Sequence, residues 1–285
     1  MKFLTDIKAG IARSLSRVGR ADPVYVVSYP KCGRTWLRYM LEGYVEEVAG
    51  IAAGRIAEGG QALKPRAKPH PAVYFRHDDA PDQKRPEELT HDKSHFAGKR
   101  VVFLVRDPRD VVVSIYFEKV KRSHLYSDQT QVPGSPDDLV GAAHGGLETI
   151  VSYYNIWWDN RDLPAEFLVM RYEHLLADPN AEFRRFCEFC GYPVVEEAIQ
   201  RAVAAADFSS MRRLEEKGGL SYKLAPGDPR DPESFKTRRG EAGAFADYLS
   251  PAQVDAAKRR VREDLAPSFG YPLDAAAARG NARSG

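Results

Sequence analysis

The sequence predicts an α/β protein: a single domain with a central, mostly parallel β-sheet flanked by helices on both faces. Three observations predict it. Short β-branched runs alternate along the chain with segments of helical period. Those runs are apolar throughout rather than alternating, as strands covered on both faces are. The first of them also ends in Tyr-Pro-Lys-Cys-Gly-Arg-Thr and passes straight into a helical pattern, the arrangement that gathers free backbone N–H groups at a helix start.

The elements follow in order. Residues 1–20 read as a basic amphipathic helix: Phe3, Ile7, Ile11, Leu15 and Val18 form one stripe, with Lys2, Lys8, Arg13, Arg17 and Arg20 around it. It either packs on the domain or touches an anionic membrane surface. The main domain takes 21–272. Its strands are Val24–Ser28, Ala72–His77, Val101–Val105 and Glu166–Glu173. Helical spacing covers the segment from Thr35, then roughly 110–121, 144–160, 180–190 and 195–206. Gly59–Pro71 and Glu215–Ser234 read as long loops of the kind that serve as lids. Residues 273–285 form a flexible tail.

Composition narrows the function. Formal charge is +2, from 42 basic and 40 acidic residues. So even a balance argues against bulk nucleic-acid binding and confines any anion site to a local cluster. No apolar run approaches the ~18–20 residues of a membrane span. The N-terminus also lacks the apolar core of a secretory signal. Three cysteines, Cys32, Cys187 and Cys190, are too few and too odd in number for a disulfide framework; they suit a reducing, cytoplasmic location. Cys187 and Cys190 recur at helical spacing with Phe183 and Phe186, which points to core packing rather than zinc.

Three anion features stand out. In the loop after the first strand, Gly33 allows close backbone approach, Lys31 supplies charge and Thr35 a hydroxyl. The loop is P-loop-like, yet it is shorter than G-x-x-x-x-G-K-[ST] and its lysine precedes the glycine. In "RDPRDVVVS", Arg106 and Ser114 lie eight residues apart, so two helical turns bring a hydroxyl back toward the strand end. Arg106 beside Asp107 makes a poor magnesium site. The third feature is the basic cluster "FKTRRGEAG". Together they suggest a nucleotide with two separate phosphates.

"YPKCGRTW", "RDPRDVVVS" and "FKTRRGEAG", in that order, resemble the nucleotide-binding signatures of the cytosolic-type sulfotransferases over about residues 22–270. "YYNIWWDN", "LVMRYEHLLADP" and "DFSSM" resemble further family segments. The resemblance implies transfer of a sulfuryl group from 3′-phosphoadenosine 5′-phosphosulfate to a hydroxyl or amine, with adenosine 3′,5′-bisphosphate as product and no metal required. It implies that Lys31, Cys32, Gly33, Arg34, Thr35 and Trp36 surround the 5′-phosphosulfate, Cys32 through its backbone, and that Trp36 also stacks on adenine. Arg106 and Ser114 would hold the 3′-phosphate, Tyr172 and Phe208 line the adenine, and Arg238, Arg239 and Gly240 close from the far loop. Lys31 would offset charge on the leaving phosphate. Departures from the family pattern are Cys32, Arg34, Phe75 and Gly243-Ala244-Phe245.

The resemblance implies a histidine general base at the end of the strand that precedes "RDPRD", and "AVYFRHDDAP" places His77 at such a strand end. Asp78 or Asp79 would orient its ring or stand solvated in a turn. The rival is His91, in a polar stretch without strand character. The acceptor is a small molecule, glycan or lipid, with no nucleic-acid partner; peripheral membrane contact through residues 2–20 and a homo-oligomer stay open. Two alternatives remain: a P-loop-type ATP-dependent kinase, which would need magnesium, and a non-catalytic adenine-nucleotide-binding protein.

Overall fold

A computed structural model describes residues 22–49, 71–122, 134–218 and 225–271. The amphipathic helix expected at the N-terminus, the loop from Gly59 to His70 and the C-terminal tail lie outside them. Four strands form one parallel sheet: β1 (Val24–Ser28), β2 (Val73–Arg76), β3 (Arg100–Val105) and β4 (Glu166–Arg171), in the order β2-β1-β3-β4. All four sequence-predicted strands are present, with ends shifted by one or two residues. β3 is buried at every position, which explains its unbroken "RVVFLV".

Helix α1 (Arg34–Ala49) joins β1 to β2. Helices α2 (Pro108–Arg122), α3 (Pro136–Val140) and α4 (Leu147–Asp159) join β3 to β4. These two connections run in opposite directions along the sheet. Right-handed crossovers therefore put α1 and the α2–α4 group on opposite faces. After β4 come α5 (Tyr172–Ala177), α6 (Pro179–Cys190), α7 (Glu196–Ala205), α8 (Phe208–Glu216) and α9 (Pro251–Asp264). α1 packs on α7, and α2 on α4.

Local signals set several boundaries. Pro108 opens α2, where it gives up no needed N–H. The Asp178 carboxylate caps α6 by accepting from Ala181 N–H at 2.9 Å. Gly191 ends α6 in the left-handed region, φ 83°. Cys187 and Cys190 are free thiols, wholly buried beside Phe183 and Phe186, as the helical spacing predicts. α5, α8 and α9 were not legible as helices, because they are short or carry few apolar residues. Residues 78–99 contain three single-turn 3-10 helices rather than an open polar loop.

The strand order carries the functional consequence. Connections leave β1 and β3 in opposite directions, so a crevice opens between the carboxyl ends of these neighbours. The loops after β1 and β3, which hold two of the three anion motifs, meet there.

Candidate active site

The loop Tyr29–Gly33 takes its shape from alternating backbone signs. Lys31 has φ 71° and Gly33 φ 92°, which turns successive N–H groups into one concavity suited to an anion. A side chain at Gly33 is excluded twice, by φ and because a Cβ would stand 2.7 Å from the Tyr172 ring. The Cys32 side chain points inward: its thiol lies 3.2 Å from the Tyr154 hydroxyl and burial pushes its pKa up to about 12. Only its backbone is left for a ligand.

Neighbouring tyrosines of α4 clamp the strand ends. Tyr154 Oη accepts the Arg106 N–H at 3.0 Å and donates to the Arg106 carbonyl at 2.8 Å. Tyr153 donates to the His77 carbonyl. One helical turn of "YYNIWW" thus fixes the ends of both β2 and β3.

Arg106 and Tyr172, 66 positions apart in the sequence, come together. The Arg106 guanidinium lies 4.4 Å from the Tyr172 ring centroid, and donates to the Lys31 carbonyl at 3.4 Å and the Glu241 carbonyl at 3.2 Å. Trp36 meets Tyr172 edge to face at 5.9 Å and donates Nε1–H to the Ala206 carbonyl at 2.7 Å. Two residues on, Phe208 lies exposed, at 44%, against Gly240, where a Cβ would stand 2.5 Å from its ring. Gly33, Trp36, Arg106, Tyr172, Phe208 and Gly240, scattered over more than 200 residues, line one continuous surface.

The third motif is tied to the second through Asp110. Its carboxylate accepts from Gly243 N–H at 2.7 Å and Phe245 N–H at 2.9 Å. Phe245 in turn lies under the Arg109 guanidinium at 4.5 Å. The departure from the family at Gly243-Ala244-Phe245 therefore leaves this loop firmly anchored. Asp107 is taken up by Arg109, with Nε at 2.9 Å and Nη2 at 2.6 Å.

Ser114 is half-buried one turn beyond Asp110. Arg238 pairs with Glu233 at 2.9 Å and Tyr248, and Arg239 with Glu241 and Asp247, both at 3.1 Å. Their charges are partnered within their own loop.

His77 follows β2 directly. The register pairs Val27 with Arg76, so the next positions, Ser28 and His77, stand side by side. His77 Nδ1 lies 3.1 Å from the Ser28 carbonyl. A carbonyl only accepts, so Nδ1 carries the proton and Nε2 presents its lone pair. Burial, then the Arg34 cation, lower the His77 pKa to about 3, which keeps the ring neutral. The expectation that Asp78 or Asp79 orients the ring or is solvated is corrected here. Asp78, Asp79 and Ala80 form a left-handed turn, φ 54°, 74° and 45°. Asp78 binds Lys93 at 2.8 Å, and Asp79 binds Lys84 and, at 2.6 Å, the Thr90 N–H. The aspartates are held by fixed partners that stabilise a turn no glycine relieves, and a backbone carbonyl orients the imidazole. His91 is exposed, in the polar segment before β3.

Two residues outside the predicted set enter the centre. Lys31 Nζ lies 2.6 Å from the Glu118 carboxylate, and Arg122 Nε lies 3.2 Å from it. The cations around Glu118, Lys31 first, hold its pKa down to about 2 against the effect of burial. Lys236 faces the same group: burial lowers its pKa to about 8, Glu118 acting in the opposite sense and Lys31 adding to the fall. Lys236 was visible as part of the basic cluster, and Glu118 as the residue one turn after Ser114, but nothing in the sequence joined them.

A parallel sheet with an anion-binding nest after β1, an arginine after β3 and an uncharged imidazole after β2 defines a nucleotide-dependent group transferase. Comparison with known proteins makes this specific. The description "Sulfotransferase domain" matches residues 21–269, and the chain belongs to that family: it is a sulfotransferase. Sulfotransferase 2B1 of Mus musculus is 27% identical over 277 residues, covering 93% of this chain and 77% of that protein. Cytosolic sulfotransferase 16 of Arabidopsis thaliana is 27% identical over 257 residues, covering 83% and 75%. Among solved structures, mouse sulfotransferase SULT7A1 complexed with PAP shares the fold at TM-score 0.54 and 18% identity, with 86% of each chain covered. Retinol dehydratase in complex with androsterone and inactive cofactor PAP does so at 0.56 and 20%, covering 86% of this chain and 81% of that one. The kinase alternative is not favoured. No helix among the described residues is long and apolar enough to cross a membrane.

Proposed function

We propose that this sulfotransferase uses His77 as general base and Lys31 as the principal cation toward the donor's leaving phosphate. It acts on a hydroxyl or amine of a small-molecule, glycan or lipid acceptor, in the cytoplasm. The donor, 3′-phosphoadenosine 5′-phosphosulfate, supplies the sulfuryl group. In the transfer a bond forms between sulfur and the acceptor oxygen or nitrogen, the S–O bond to the donor's phosphate breaks to release adenosine 3′,5′-bisphosphate, and the acceptor proton passes to His77 Nε2.

The donor fits the residues present. The nest at Lys31–Gly33 and the first N–H groups of α1 suit the 5′ end. Lys31 and Lys236 bring two cations there against one carboxylate, Glu118. Trp36, Tyr172 and Phe208 offer ring faces and edges for the adenine, and Arg106, 12% exposed, supplies positive charge over the Tyr172 ring. Ser114, Arg238 and Arg239 join the 3′-phosphate group; Arg238 and Arg239 exchange their own acidic partners to do so.

The observation that carries the reading is the His77–Ser28 contact. It fixes the tautomer that leaves Nε2 free, and burial keeps the ring neutral. Turnover with radiolabelled donor, set beside adenosine 3′,5′-bisphosphate binding, tests it in His77→Ala: transfer is lost and binding stays. Full transfer in that variant moves the base elsewhere.

A further inference from the structure

His77 borders a cleft of about 820 Å³, lined by the aromatic rings of Tyr25, Phe75 and Phe96 and by the cations Arg34, Arg76 and Lys99. The volume suits a small organic ligand. Its charges are unevenly matched. The two carboxylates that border it are already used: Asp78 by Lys93 at 2.8 Å and His95 at 3.6 Å, Asp79 by Lys84 and the Thr90 N–H. Among the described residues the cations have no such partners: neither the Arg34 nor the Arg76 side chain makes a hydrogen bond or ion pair with any of them. Arg76 reaches over the Tyr74 ring at 5.7 Å, and Lys99 lies over Tyr25 at 5.1 Å and Phe96 at 5.6 Å.

Arg34 is the more telling. Its backbone opens α1 toward the nest, while its side chain stands close enough to His77 to depress the ring's pKa. Burial and the neighbouring Arg38 lower the Arg34 pKa to about 10. A largely buried guanidinium without a counter-charge is destabilising, and an arriving anion offsets that cost. Arginine forks also match carboxylate and phosphate geometry better than a lysine does.

We infer that the cleft takes an acceptor in which the reacting hydroxyl is joined, through an apolar body, to an anionic group. Arg34 and Arg76 receive the anion, and Tyr25, Phe75 and Phe96 cover the apolar part. The hydroxyl then meets His77 Nε2. This rests on the reading of His77 as base and deepens it by naming the acceptor's charge. The cations also screen an anionic acceptor from an anionic donor, whose mutual repulsion would oppose a ternary complex.

The test uses 4-hydroxyphenylacetate and its methyl ester as probes. Each is titrated calorimetrically into the full chain saturated with adenosine 3′,5′-bisphosphate, and each is offered as acceptor with labelled donor. The acid is expected to bind and react about tenfold or more better than the ester, the scale of one charged hydrogen-bond pair. Arg76→Gln, at an exposed strand position where folding is not at stake, reduces the acid-to-ester ratio about tenfold, and Arg34→Gln reduces it as well. Equal binding of acid and ester, or binding of neither, overturns the inference, as does a ratio unchanged in both variants. Failure of the protein to bind adenosine 3′,5′-bisphosphate counts instead against the donor reading on which the inference rests.

Discussion

Lys31 of the phosphate loop and Glu118 of α2, 87 positions apart, form an ion pair of 2.6 Å at the centre of the site. With Lys31 as the proposed cation for the donor phosphate, Glu118 already occupies it, so binding would exchange one anion for another. Glu118→Gln should therefore tighten adenosine 3′,5′-bisphosphate binding at pH 7 by about fivefold, the scale of a partly exposed ion pair of ~1 kcal/mol. Calorimetric titration measures it, and weaker binding in the variant contradicts the exchange.

Lys236 predicts a pH dependence. Its pKa is lowered to about 8, and a bound phosphate favours its charged form. Affinity for the bisphosphate is then level below pH 8 and falls above it, with a proton taken up on binding there. Titrations in buffers of different ionisation enthalpy count that proton, and Lys236→Gln should lose the dependence. For the unliganded fold the sign is opposite: between about pH 8 and the ordinary lysine value, the unfolded chain holds more protons, so this group makes stability rise with pH.

His77 predicts an acid limb in an unusual place. With its pKa lowered to about 3, kcat should show no loss near pH 6.5, where an ordinary histidine gains its proton. His77→Ala should lower kcat by about 10²–10⁴-fold. A pH–rate profile that falls with a midpoint near 6.5 in the wild type rejects this environment for the base.

Arg106 predicts a selectivity. Removing a buried charged donor costs about 2 kcal/mol or more. Arg106→Ala should weaken adenosine 3′,5′-bisphosphate accordingly and hardly change adenosine 5′-phosphate. Direct competition between the two nucleotides reads the difference, and an equal loss for both places Arg106 away from the 3′ end.

Gly33 predicts a steric effect. A methyl group there meets Tyr172 at 2.7 Å from a left-handed backbone. Gly33→Ala should abolish nucleotide binding, and Tyr172→Ala in the same chain should restore little of it, because the backbone strain persists. Thermal unfolding with and without nucleotide separates loss of the site from loss of the fold.

The sequence by itself determined the architecture and singled out the candidate residues of the site. Runs such as "VYVVS" and "VVFLV" are apolar on both faces, so they had to be covered strands, and the loop after Val24–Ser28 pointed to an anion through Lys31, Gly33 and the helix behind it. Helices α5, α8 and α9 stayed hidden because their few apolar residues make no clear period; tertiary contacts hold them. The tertiary structure alone decided how these groups are paired and charged. It paired Lys31 with Glu118, brought Lys236 beside them, set the His77 tautomer through Ser28 and left Arg34 without a counter-charge among the described residues. Periodicity is a local property that neighbouring residues encode. Protonation and charge balance depend on distances of a few ångströms between strand ends and loops far apart in the chain, and those distances exist only once β1, β2 and β3 lie side by side.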